Sequence, residues 1–388
     1  MEYKYQVILL GTLTRLGDEL INLFYEKLQE LNLLKSSYKA IYSSNFESDY
    51  KGNQPTFVLY FGNKEGDHVD VDLVDKLLKD ANIVLPIYYN SFSKEIPEIL
   101  SNQNGIKYEE LHREKIVNLI LESFGKLRNT RKVFISYKRN ESTSVAIQLY
   151  EALEKNNFDV FLDTHSIKQG EPFQDELWHR MTDCDVIVLL NTPNFLESEW
   201  CEKEIAEASV KQIGIIQLIW PKHKLERMAE VCFPLELNGI NFIDSIFDDK
   251  DISKLTISTV NTIVNMVESV RARNLASRQD NLITEFINIA RKNGKKVNIQ
   301  PERFITEELG DEKRRIFIPT VGIPQSIDCN QSSELKKEIK EYHVDEVYLI
   351  YDDVRIRKKW LNHLKYLNIY LDVKTIKKQE FDIWLKEN

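Results

Sequence analysis

Apolar residues along the chain alternate between short unbroken runs and longer stretches in which they recur at helical spacing. Runs at 5–10, 57–61, 83–87 and 186–190, each bounded by turn residues, have the length and continuity of strands buried in a parallel sheet. Between them, 16–31 reads as an amphipathic helix, and 108–130 as a polar connecting helix with a rough stripe of Leu111, Ile116, Leu119 and 121–124. Strands alternating with helices predict an α/β protein.

Further along, the pattern predicts a helix over 142–156, strands at 213–220 and near 240–243, and a helix over 252–273. A helix from 275 should stop at Gly294, with Arg291 and Lys292 in its last turn. Strands are then expected at 297–299, 316–318, 347–350 and 369–373, with helices between. The expected domains are 1–125, an N-terminal α/β unit, 130–272, and 275–388, a C-terminal α/β unit. Residues 80–93 echo 183–196 in helix-then-strand order with an Asn and a Phe following, but nothing equivalent to Glu204 comes next. The first unit is therefore either a decayed, non-catalytic copy of the second or a similar sheet by chance.

Composition narrows the class. Hydrophobic residues make up 42% and charged ones 29%, with only 13 glycines and 10 prolines, which excludes long disorder and fibrous repeats. A net charge of −9 argues against a general nucleic-acid binder, which needs a basic face. The four cysteines, Cys184, Cys201, Cys232 and Cys329, are too scattered for a disulfide framework or a Cys-x-x-Cys metal site. Met1 to Tyr5 opens directly into a strand without a signal-peptide pattern, and no apolar run approaches the roughly 20 residues of a membrane helix, so a cytoplasmic protein is expected. No Walker loop and no Gly-x-Gly-x-x-Gly fingerprint occurs, which leaves phosphoryl transfer and dinucleotide redox chemistry without support.

The candidate chemistry lies in 183–207. A strand at 186–190 leads through a proline-broken loop to Ser198, a suitable helix N-cap, with Glu199 and Glu202 at the positive end of the helix dipole. Trp200, Cys201 and Glu204 share one face of that helix, four residues being about one turn. A carboxylate at Glu204 then stands over the indole of Trp200, beside the carboxyl end of a strand, where open α/β sheets bind ligands.

Ser-x-Trp-Cys-x-x-Glu, here Ser198, Trp200, Cys201 and Glu204, resembles the signature of Toll/interleukin-1 receptor (TIR) domains, in the form found in bacterial and plant members that cleave NAD. Upstream, Val133-Phe134-Ile135-Ser136-Tyr137-Lys138-Arg139 resembles the family's first strand. The stretch from Phe161 through Asp163 and Thr164 to Gly170 and Glu171 resembles its second strand and the BB loop after it. The resemblance covers residues 130–272 and implies a central flavodoxin-like domain with a parallel sheet, flanked by two smaller α/β units.

It also implies an activity: hydrolysis of NAD+ to nicotinamide and ADP-ribose, with some cyclised product. The nicotinamide leaves neutral and the transition state resembles a ribosyl oxocarbenium ion, so one well-placed carboxylate, Glu204, can suffice. Ser136, Tyr137, Arg139, Asp163, Gly170, Ser198 and Trp200 are expected around the substrate, Arg139 toward the pyrophosphate. NAD+ is then a substrate and not a cofactor, no metal is assigned, and the expected partners are other TIR domains and an activating ligand or protein, with neither nucleic acid nor membrane. An antiphage effector that depletes NAD in an infected bacterium fits this reading. Its rival is a non-catalytic scaffold acting through TIR self-contacts.

Each residue also has a structural alternative. Glu204 would be a solvated helix glutamate, Trp200 a core side chain, Cys201 a buried filler, Arg139 a solvated cation, and Asp163 and Gly170 a strand-end acid and a turn glycine. Outside this region, Asp352-Asp353 ends a strand and can serve a metal or a ribose, and His165 and His179 lie nearest the site without metal-ligand spacing.

Overall fold

The computed structural model describes residues 3–388 apart from 32, 53, 128–129, 163–178, 196–212, 225–231, 301, 311–312, 340–341 and 355. The chain divides into two compact units, Met1–Asn129 and Thr130–Asn388.

The first unit is built on five parallel strands, β1 (Tyr5–Gly11), β2 (Tyr38–Tyr42), β3 (Thr56–Phe61), β4 (Ile83–Tyr88) and β5 (Ile106–Lys107), in the order β2-β1-β3-β4-β5. β1 and β3 are buried at every position, the condition under which a strand reads as an unbroken apolar run. The helix Arg15–Glu30 starts where predicted, with the Thr14 hydroxyl accepting from Leu16 N at 3.3 Å.

The second unit carries two sheets. The first holds β6 (Lys132–Ser136), β7 (Asp159–Leu162), β8 (Val186–Asn191), β9 (Gly214–Ile219) and β10 (Phe233–Glu236), all parallel, in the order β10-β9-β8-β6-β7. Counted within this sheet the order is 2-1-3-4-5, the flavodoxin-like arrangement, which the first unit shares. The echo between 80–93 and 183–196 therefore joins strands of different rank: β4 is the fourth strand of its sheet and β8 the third of its own.

Alternation along the strands fills two cores. Val133, Ile135, Val186, Val188 and Leu190 face the helix Arg139–Lys155 and the start of a long helix, while Phe134, Ile187, Leu189 and Ile215 pack on the opposite side. The strand expected at 240–243 is instead two short 3₁₀ turns, Gly239–Asn241 and Ile243–Ser245. Ile240 is 81% exposed there, and the fifth strand is β10, whose Pro234 is tolerated because β10 lies at the sheet edge.

The long helix, Ile257–Lys292, is continuous over 36 residues where two helices were expected, and the boundary drawn between 272 and 275 falls inside it. Val260, Ile263, Val264 and Val267 serve the first sheet, and Leu282, Ile283, Phe286 and Ile287 the second. It stops as predicted: Gly294 takes φ +75°, and Lys295 N reaches back to Ala290 O.

The second sheet runs β11 (Val297–Ile299), β12 (Ile305–Gly310), β13 (Lys313–Thr320), β14 (His343–Tyr351) and β15 (Lys374–Lys377) in chain order, antiparallel up to β13 and parallel from there. Residues 369–370, expected in a strand, finish the helix Lys358–Tyr370, because Leu361, Leu364 and Leu367 carry helical period to that point. The strand follows at β15 instead. Among the described residues no helix is long and apolar enough to cross a membrane.

Candidate active site

In a 2-1-3-4-5 sheet the crevice for a ligand opens where the first and third strands part, outside their carboxyl ends. Here those strands are β6 and β8, and the loops that leave them are 137–138 and 192–195.

One network ties the two loops together. Lys138 Nζ donates to Asn194 O at 2.6 Å and lies 3.5 Å from Glu141 Oε1. Glu141 accepts from Asn194 N at 3.2 Å and from Asn194 Nδ2 at 2.8 Å. Burial alone would raise the Glu141 carboxyl, but hydrogen bonds from Thr192 and Asn194 and the Lys138 charge outweigh it and hold the group below the usual glutamate range. Phe195 then anchors the far end of the second loop in the core. The chain therefore enters 196–204 from a fixed point.

Of the expected site residues, three fall among those described. Ser136 is the last residue of β6 and is buried; Tyr137 is buried within the core on the long-helix side; Arg139 is exposed at the start of Arg139–Lys155. That helix breaks at Ser142, whose φ of −144° separates one short turn, 139–141, from the regular helix expected from 142. The short turn is what aims Glu141 at Asn194. Asp163, Gly170, Ser198, Trp200, Cys201 and Glu204 lie outside the described residues, as does His165. The chain leads into them from β7 and from the anchored loop after β8.

Lys138, Glu141, Asn191 and Asn194 were not singled out from the sequence. Asn191 is fully buried at the end of β8: its Nδ2 donates to Lys224 O at 3.2 Å, and its Oδ1 has no partner among the described residues. The available signal was position, since polar residues at the carboxyl ends of buried strands are where such sheets present chemistry.

Elsewhere, Asp352 accepts from Val354 N at 2.9 Å, and the buried Asp353 accepts from Gln379 N at 3.2 Å. Burial pushes the Asp353 carboxyl up. His179 accepts at Nδ1 from Arg357 N at 3.3 Å and stacks on Trp360. Among the described residues no three His, Cys, Asp or Glu side chains come together as a metal site. Glu95, in the stretch that echoes 183–196, is committed to its own loop, accepting from the backbone N–H groups of Tyr89, Asn90 and Ser91.

Comparison with known proteins adds to this geometry. A family model described as "TIR domain" matches residues 133–256. The chain is 28% identical over 180 residues to the NAD(+) hydrolase sarm1 of Drosophila melanogaster, covering 41% of this chain and 13% of that protein. It is 25% identical over 142 residues to the 2' cyclic ADP-D-ribose synthase BtTIR of Bacteroides thetaiotaomicron, covering 36% and 44%. With the probable 2' cyclic ADP-D-ribose synthase BdTIR of Brachypodium distachyon it shares 27% over 119 residues, 29% of this chain and 53% of that one. The chain thus spans about half or less of these curated relatives' own length. A five-stranded parallel sheet in flavodoxin-like order, with the family's match running from its first strand to just short of the long helix, makes the central part of this chain a TIR domain.

Proposed function

We propose that this chain cleaves NAD+ at the bond between nicotinamide and ribose, releasing nicotinamide and ADP-ribose. The observation that carries the reading is the loop 192–195 anchored at the switch point between β6 and β8, after which Ser198, Trp200 and Glu204 come next in the sequence. The names of the three relatives, an NAD(+) hydrolase, a 2' cyclic ADP-D-ribose synthase and a probable 2' cyclic ADP-D-ribose synthase, support it.

In this mechanism the glycosidic bond breaks with its electron pair going to the nicotinamide nitrogen, which leaves neutral. Glu204 stabilises the ribosyl cation and holds the ribose hydroxyls. Water, or a hydroxyl of the same molecule that thereby closes a ring, adds to the anomeric carbon and gives up its proton to solvent. Trp200 supports the carboxylate and the sugar, and Ser198 caps the helix that carries both. Arg139, exposed beside Lys138 at the mouth of the crevice, offers positive charge to the pyrophosphate, and Ser136, Tyr137, Asp163 and Gly170 complete the lining. NAD+ is consumed as substrate, with no cofactor and no metal in the scheme.

The cellular reading follows from the chemistry: an NAD-depleting effector in the cytoplasm of a bacterium, held inactive until an antiphage signal assembles its TIR domains. The test is direct. The purified protein is incubated with NAD+ and the products are separated by chromatography; free nicotinamide with ADP-ribose or a cyclic product is expected, and intact NAD+ in an assembled sample leaves the scaffold reading in its place.

A further inference from the structure

The parallel strands of the second sheet end at a cavity that belongs neither to the switch point of the TIR sheet nor to the activity above. β13, β14 and β15 run the same way, and the residues just past their carboxyl ends, Val321-Gly322, Asp352 and Lys378, all line one cavity of about 80 Å³. Arg278 and Asn281 of the long helix and Thr182 of the TIR part close it from the other side. At about 30 Å³ per water molecule, the space takes a group the size of a phosphoryl, and it opens to solvent on one side.

The chemistry of the wall is mixed in a specific way. Two cations, Arg278 and Lys378, border the cavity. Arg278 donates to the carbonyls of Thr182 and Cys184 at 3.0 and 2.9 Å, so its position is set. Burial would lower the Lys378 amine, but the ion pair with Glu285 at 2.7 Å and the nearby aspartates outweigh it and keep the lysine charged. Gly322, at φ +86°, turns the chain after β13 and has no side chain to fill the space it borders. Asp352 stands at the end of the next parallel strand, across the crossover helix Ser326–Glu338. Dinucleotide-binding α/β units hold phosphates at a glycine-rich turn after one strand and a ribose hydroxyl on an acid further along; the turn at Gly322 and Asp352 repeat the glycine and the acid of that arrangement, without its Gly-x-Gly-x-x-Gly run.

We propose that this cavity takes the phosphoryl group of a ribose phosphate, free or as part of a nucleotide, against Lys378 and Arg278, with the sugar at its open side and the ribose hydroxyls donating to Asp352. The site is also wired to the TIR sheet: Ile323 N, in the turn, donates to Asp183 Oδ1 at 3.0 Å, just ahead of β8. An occupant of the cavity therefore bears on the segment that enters the third strand of that sheet.

The test is calorimetric titration of the full chain with ribose 5-phosphate, AMP and inorganic phosphate, repeated on Asp352→Asn, Lys378→Gln and, as a binding-site control, Glu204→Gln. Both ribose phosphates should bind the parent chain and Glu204→Gln alike. Asp352→Asn should weaken both about tenfold or more while sparing inorganic phosphate, and Lys378→Gln should weaken all three. Equal affinities mean that the sugar phosphate is read alone, and tighter binding of AMP means that the base adds a contact. Should Asp352→Asn fail to fold, Asp352→Ser replaces it, with the same expectation for the two ribose ligands. No binding of either ribose phosphate, binding unmoved by the wall substitutions, binding lost in Glu204→Gln, or no gain over inorganic phosphate overturns the assignment.

Discussion

Arg271 Nε lies 3.0 Å from Asp185 Oδ2, and both side chains are wholly buried. The same carboxylate oxygen accepts from Lys132 N at 3.2 Å, and Asp185 N donates to Lys132 O at 2.8 Å. One acid thus fastens the long helix to the start of β6 and to the entry of β8, the two strands that flank the crevice. Removing it takes a charged partner from a fully buried guanidinium. Asp185→Ala should destabilise the second unit by about 3–5 kcal/mol, read as a lowered midpoint in urea unfolding; a change within error would mean that water or another acid takes over.

Glu204→Gln keeps the shape of the side chain and removes its charge. Turnover of NAD+ should fall on the order of 100- to 1000-fold, with the circular dichroism spectrum and melting temperature unchanged. Near-parental nicotinamide release by this variant would move the chemistry to another residue.

Glu141 couples the crevice to pH. Its folded-state pKa is depressed, so the stability it contributes is complete above the ordinary glutamate value of 4.5 and is lost as pH falls through the lower folded value. Glu141→Gln should cost about 1 kcal/mol at neutral pH, since the side chain is only 18% exposed, and the gap to the parent should close on acidification below 4.5. A gap that stays constant from pH 7 to pH 3 would show that the carboxylate's charge contributes nothing.

Assembly is expected to act through the loop 164–170, which lies outside the described residues. Ile167 offers an apolar side chain among polar neighbours, and Gly170 permits a backbone angle that other residues resist. Specific activity should therefore rise with protein concentration, and Ile167→Asp combined with Gly170→Pro should flatten that rise and abolish the oligomer seen by light scattering. Activity per molecule that is constant over a hundredfold range of concentration, and insensitive to the two substitutions, would exclude this control.

Local pattern by itself determined the α/β class and the strands that organise the molecule. β1, β3, β4, β8 and β9 were legible as apolar runs because burial in a parallel sheet demands apolar side chains at nearly every position. The end of the long helix was equally legible, because its stop is a local backbone matter at Gly294. The motif from Ser198 to Glu204 could be recognised at once, since four residues on one short stretch carry it.

Tertiary structure alone decided the rest. β2 and β12 were missed because neither apolar run is continuous: Lys39 interrupts the first, and Thr306, Glu307 and Glu308 interrupt the second. Ile240 and Ile243 were misread as a strand because an isolated isoleucine does not reveal whether a neighbouring strand is there to cover it. No periodicity marks Asp185 as the partner of Arg271, 86 positions away, or Asp183 as the acceptor for Ile323 N, 140 positions away. Such pairings are chosen by which polar groups the packed helix and sheets shut off from water together, and a buried polar group must then find its partner wherever in the chain that partner lies.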